Sequence, residues 1–134
     1  MERMAAAAAR VILDTGAVIA WQRQRPHVVR YLTELMARSL PVVVPAVVLA
    51  ECVRGGARDA PIHRLLASAR VTSVGARVAI AAGRLLAEAG MDATVDALVA
   101  AEAIRGGPCL VLTSDPADLG ALIGKRSYVQ VIAI

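Results

Sequence analysis

The sequence predicts a three-layer α/β/α domain built on a five-stranded parallel sheet, and three observations carry that prediction. Short apolar runs alternate with helix-length segments along the chain, and most runs stop at a Gly, Pro or Asp turn signal. The 134 residues, 57% of them hydrophobic, fit one domain, residues 1–134, with a core reaching through most of its length. Strands separated by helices favour parallel pairing with helices on both faces.

The first run, Arg10 to Asp14 (RVILD), is a buried strand ending in Asp-Thr-Gly, from which a helix runs from Thr15 to Gln22. Pro26 opens a second helix, in which Val28, Val29, Leu32, Leu35 and Met36 keep the helical spacing. Leu40 to Val44 is the second strand, and Pro45 precedes a helix in AVVLAECVRGG stopped by Gly55 and Gly56. Pro61 opens a short helix through Leu66, and Arg70 to Val74 is the third strand. Ala76 to Ala89 is a helix with a glycine stop at Gly90, and Thr94 to Arg105 is another, ended by Gly106, Gly107 and Pro108. Cys109 to Thr113 (CLVLT), a helix from Asp115 to Ile123 and a last strand from Tyr128 to Ile134 complete the pattern.

Composition narrows the function classes. The longest uncharged apolar stretch, Leu40 to Ala50, has 11 residues and two prolines, whereas a bilayer span needs about 20. Met1 to Ala20 resembles a secretion signal, but Arg10 and Asp14 split its apolar part, and the chain reads as cytoplasmic. Cys52 and Cys109 lack the spacing of a zinc site or a disulfide framework and read as core residues. His27 and His63 fall in helices away from the strand ends. Fifteen basic residues, fourteen of them Arg, face eleven acids for a net charge of +4, which suits either a solvated surface or a phosphate-rich partner.

The acids occupy unexpected places. Asp14 ends the first strand and Asp115 follows the fourth, so a parallel sheet puts both at its carboxyl edge, where open α/β folds bind ligands. Each also suits a helix N-cap, and in Asp115-Pro116-Ala117-Asp118 the proline takes the first helical position. Glu51 interrupts the apolar run PAVVLAECV, where a charge needs a partner; an exposed pair with Arg54, three residues on, is the alternative. Asp96 falls in the first turn of its helix, where the dipole already favours an anion, and Asp92 reads as a loop charge. Clustered carboxylates repel, and they stay ionised beside one another when a cation neutralises them. Oxygen ligands select Mg²⁺ or Mn²⁺, which can activate water and stabilise a phosphoryl group under attack, with no His, Cys or Ser nucleophile needed. Setting aside the four acids Asp14, Glu51, Asp96 and Asp115 leaves seven against fifteen bases, a +8 shell that would draw a polyanion to an acidic centre. Arg54 and Arg58, one to two turns past Glu51, are the nearest phosphate contacts, or else a solvated helix end.

Asp14 in VILDTGAVIA, Glu51 in VPAVVLAEC, Asp96 in TVDALVAA and Asp115 in VLTSDPADL together resemble the PIN-domain ribonucleases, in particular the small VapC-type toxins, over nearly the whole chain. The resemblance implies a sheet in the order 3-2-1-4-5. It implies that Asp14, Glu51, Asp96 and Asp115 are catalytic acids that bind Mg²⁺, with Asp118 as an additional acid and Thr15 and Ser114 as polar supports. It further implies cleavage of RNA by metal-activated water, a homodimer, and inhibition by a cognate antitoxin. One departure stands out: the acid that many relatives carry one turn before the third motif is Ala93 here, with Asp92 adjacent but rotated away.

Two other readings compete. A receiver-type phosphoacceptor also gathers acids around Mg²⁺, but it needs an Asp after the third strand and a Lys after the fifth. Here Ser73-Val74 end the third strand and the one lysine, Lys125, precedes the last. A PIN-like module that binds RNA or protein without cutting would differ in failing to hold metal.

Overall fold

The computed structural model describes residues 8–134. The N-terminal part of the signal-like stretch therefore lies outside the described residues, while the part from Val11 onward folds as a strand and a helix. In chain order the elements are β1 (Val11–Leu13), α1 (Thr15–Gln22), α2 (Pro26–Ala37), β2 (Val42–Pro45) and α3 (Ala46–Cys52). A 3₁₀ turn (Ala57–Asp59) leads to α4 (Ala60–Leu66), β3 (Arg70–Thr72), α5 (Ala76–Ala89), α6 (Thr94–Arg105), β4 (Cys109–Thr113), α7 (Pro116–Ile123) and β5 (Val129–Ala133).

The sheet is parallel throughout, in the order β3-β2-β1-β4-β5. Every residue of β1, β2 and β4 is buried, as expected for strands covered on both faces, and exposure rises only at the edges, β3 and β5. The helices cover them with apolar stripes at helical spacing, Val28, Leu32 and Leu35 on α2 and Val78, Ala82 and Leu85 on α5. Cys52 and Cys109 are free thiols in this core, and His27 and His63 are exposed. Among the described residues no helix is long and apolar enough to cross a membrane.

β2 runs over Val42–Pro45, β3 ends at Thr72 and β5 spans Val129–Ala133, each within two residues of expectation, and one further departure has a side-chain cause. The helix after Pro45 ends at Cys52 rather than near Gly55, because the Arg54 and Gly55 N–H groups donate to the Asp59 carboxylate (3.0 and 2.7 Å). α5 stops where expected: Gly90 takes φ +63°, and the Gly90 and Met91 N–H groups return to the Ala87 and Leu86 carbonyls.

Topology sets the site. β1 lies mid-sheet; the chain leaves it through β2 and β3 on one side and returns through β4 and β5 on the other. The strand order therefore reverses between β1 and β4, and the crevice at their carboxyl ends is where such sheets bind ligands. Leu13 pairs with Leu112, and the Asp14 N–H donates to the Leu112 carbonyl (3.1 Å), so the residues that follow each strand meet there.

Candidate functional site

Asp14 leaves β1 directly into α1. One carboxylate oxygen accepts from the Ala17 N–H (3.1 Å), and the residue is buried. It is thus the N-cap that its position suggested, yet it also faces the crevice acids, so the two readings coexist. Burial pushes its carboxyl above the ordinary value; donation from the Thr113 hydroxyl and the Ala17 and Gly16 N–H groups opposes that, and the Asp115 charge adds to it.

Asp115 stands at the N-cap position of α7, but its side chain makes no capping bond and is exposed. Capping therefore does not account for it. Asp118 follows one turn later and Asp96 faces both from the first turn of α6. One carboxylate oxygen from each of Asp96, Asp115 and Asp118 lies within 4.8 Å of the other two. Burial raises the Asp96 carboxyl first, and the charges of Asp14, Asp115, Asp118 and Glu51 raise it further. The Asp118 carboxyl is raised chiefly by hydrogen bonding to Asp115 and by that neighbour's charge.

Glu51 takes the exposed setting of the two its sequence left open, but with a different partner. It sits on the exposed face of α3, so no burial penalty forces a partner on it. It nonetheless has one, since the Thr15 hydroxyl donates to Oε1 at 2.5 Å and holds the carboxylate over the start of α1. The alternative pair with Arg54 does not form: that guanidinium donates instead to the Ala50 and Val53 carbonyls (3.0 and 2.9 Å) and closes the end of its own helix. Glu51 lines an open cleft of about 390 Å³ with Asp92, Thr94 and Asp96.

Asp92 is therefore nearer the site than its sequence position suggested. Residues 91–93 are not helical, so the helical rotation that would carry Asp92 away does not apply, and the residue stands on the cleft wall. Six acids thus gather at this edge, Asp14 and Asp115 following strands, Asp92 just before α6, and Glu51, Asp96 and Asp118 on α3, α6 and α7, and each offers carboxylate oxygens. That donor set fits a hard divalent cation and offers nothing to a soft one.

A profile of the PIN domain matches residues 11–118. The chain belongs to the PIN domain family. In fold this PIN domain is similar to VapBC2 from Rickettsia felis, solved bound to a DNA fragment from its promoter, with a TM-score of 0.71 at 16% identity, covering 92% of this chain and 98% of that one. It is similar also to FitAcB from Neisseria gonorrhoeae, with a TM-score of 0.64 at 22% identity over 91% and 96% of the two chains. No match was found among curated proteins.

The resemblance led to Thr15 and Ser114 as polar supports, and the PIN domain's geometry uses them differently. Thr15 orients Glu51 as described. Ser114 is exposed and packs beside Gly16; a Cβ on Gly16 would overlap the Ser114 side chain, its own Cβ lying only 2.6 Å away. Gly16 thus lets the turn after β1 close against the turn after β4, a role that chain distance concealed.

Thr113 is the residue that the sequence reading missed. Its Oγ1 accepts from the Asp115 N–H (2.9 Å) while its hydroxyl donates to Asp14, so one buried hydroxyl joins the two strand-end acids. A polar residue closing the apolar run CLVLT was the available signal. Thr113→Val keeps the shape and removes the bridge. The expected result is a loss of about 10- to 100-fold in divalent-metal affinity by calorimetry, the range typical of groups that orient ligands; unchanged affinity would show that the bridge orients nothing.

Proposed function

We propose that this chain is a metal-dependent endoribonuclease, the cytoplasmic toxin of a toxin-antitoxin pair, with a homodimer and a complex with its antitoxin as its expected assemblies. The observation that carries the nuclease reading is the approach of Asp96, Asp115 and Asp118 to within 4.8 Å. The toxin part rests on the VapC-type resemblance and on the likeness to VapBC2 and FitAcB.

Asp14, Glu51, Asp96, Asp115 and Asp118 would hold Mg²⁺ or Mn²⁺. Bound there, such an ion would supply a lowered pKa for water and positive charge against a phosphate under attack. The protein's part is positioning. Thr113 fixes Asp14 relative to Asp115, Thr15 holds Glu51 over the same space, and the N-terminus of α6 adds its positive dipole end beside Asp96.

Purified protein should cleave single-stranded RNA internally with Mg²⁺ or Mn²⁺ and stop when EDTA is added. Cleavage that persists in chelator rejects the mechanism, and absence of both cleavage and carboxylate-dependent metal binding favours an inert module.

The carboxyl shifts give a second test. Asp14, Asp96 and Asp118 all have folded values above their ordinary ones. Their ionised forms therefore cost the metal-free fold stability above those folded values, and the cost disappears as pH falls through them. Asp96→Asn should raise the thermal midpoint in EDTA at neutral pH, lose that advantage in acid, and abolish the Mg²⁺-induced rise of the parent. A lower midpoint at neutral pH in EDTA would mean that Asp96 stabilises the fold by a contact unrelated to a cation.

A further inference from the structure

We infer that Arg23 and Arg58 form a phosphate-binding subsite for the RNA strand that leads away from the carboxylate cleft, on a loop held to α1 by two side-chain tethers. The inference rests on the nuclease reading and extends it to how the substrate is gripped.

Thr15 and Gln22 are seven residues apart on α1, which returns them to nearly the same helical face. At one end Thr15 donates to Glu51 (2.5 Å), and at the other the Gln22 carboxamide donates to Asp59 Oδ1 (3.0 Å). Residues 51–59 are therefore fastened along α1 at both ends. Asp59 is the internal anchor, buried to 1% exposure, with Oδ2 accepting from the Arg54 and Gly55 N–H groups. Burial works against its charge, but those two N–H groups, Gln22 and the Arg58 charge outweigh it and hold the carboxyl below its ordinary value. An ionised carboxylate committed to backbone donors is a rigid root for the loop.

That root separates the two arginines that the sequence paired. Arg54 is turned back onto the carbonyls at the end of α3, whereas Arg58 is exposed and borders a hollow of about 340 Å³ with Gln22 and Arg23. Among the described residues its lining is Gln22, Arg23 and Arg58, with the Asp59 carboxylate buried behind Gln22 rather than in the wall. Two forked guanidiniums around a carboxamide match the oxygens of a phosphodiester, and with no aromatic ring in the wall among the described residues the contact is to backbone rather than to stacked bases. Arg23 lies eight residues beyond Thr15, about 12 Å along the helix, a reach of three to four stacked nucleotides.

The test is binding of a fluorescent single-stranded RNA in EDTA, followed by anisotropy across a salt series. Arg23→Ala/Arg58→Ala should weaken binding about tenfold and lower the slope of log K against log salt by about 1.4, the share of two single-strand phosphate contacts. Arg30→Ala/Arg77→Ala, which removes two exposed arginines from α2 and α5, makes the same change in net charge and should shift both readouts much less. Equal effects from the two pairs would overturn the subsite in favour of diffuse attraction. Retained RNA affinity with lost binding to polyglutamate would overturn it in favour of a protein-docking surface. A parent protein that cuts RNA while the Arg23/Arg58 pair binds normally refutes the subsite alone; a parent that neither binds nor cuts RNA refutes the nuclease reading and the subsite with it.

Discussion

Asp14→Asn is expected to lower metal-dependent RNA cleavage by on the order of 10²–10⁴-fold while leaving the protein folded. The separation of the two effects follows from the double role of the side chain. As an N-cap it needs only an acceptor for the Ala17 N–H, and Asn serves there about as well as Asp. As a proposed metal ligand it needs its charge, which the amide lacks. Because burial already raises this carboxyl, removing the charge relieves the metal-free fold rather than harming it. The thermal midpoint in EDTA should therefore be equal to or above that of the parent, and the midpoint gained on adding Mg²⁺ should shrink. Asp14→Ala, by contrast, also loses the cap, at a cost of about 1 kcal/mol. Activity within a few-fold of the parent in a folded Asp14→Asn protein would remove Asp14 from the chemistry.

Glu102→Ala should produce the largest loss of stability, about 3–5 kcal/mol by urea denaturation, with no direct effect on the carboxylate cleft. Glu102 is buried in α6, where Oε1 faces Arg10 Nη1 (3.4 Å) and Oε2 accepts from Arg105 Nε (2.8 Å). Arg10 is itself mostly buried, and its Nη2 donates to the Glu102 and Ala103 carbonyls near the end of the helix (2.8 and 3.4 Å). Truncating Glu102 leaves the guanidinium buried without its counter-charge, and that stranded cation, more than the lost attraction, sets the size of the effect. Only Arg105 is well exposed, so its share is screened and small. The double variant Arg10→Met/Glu102→Leu, apolar at both positions, should recover most of the loss. A cost below about 1 kcal/mol for Glu102→Ala would place the network among surface pairs. Gly106 belongs to the same arrangement, since a Cβ there would collide with the Arg10 guanidinium.

Thr94–Arg105 and Cys109–Thr113 form over the residues expected of them, because their ends are set by local chemistry: a Gly-Gly-Pro stop and an apolar run followed by a turn. α3 does not, because its last turn is undone by Asp59, a residue whose carboxylate reaches back from the next segment. Sequence did not settle the burial of two acids. For Glu51 the apolar neighbours left a buried and an exposed setting both open, and it faces outward from α3, bonded to Thr15 rather than to Arg54; Glu102 attracted no notice and is buried. Burial depends on which helix face meets the sheet, and α6 is apolar on several sides, so its pattern does not single out the position of Glu102.

The alternation of strands and helices, and the acids after β1 and β4 and on three helices, were legible along the chain, because period, turn residues and the positions of charges are local properties that the chain carries unfolded. Folding alone reveals that Thr113 joins Asp14 to Asp115, that Gly16 closes against Ser114, and that Asp92 reaches the cleft wall. The first two depend on parallel pairing of β1 with β4, which brings residues about a hundred positions apart to hydrogen-bonding distance, and the third on the approach of α3 to the start of α6. No local preference encodes that closeness; burial of both sheet faces creates it.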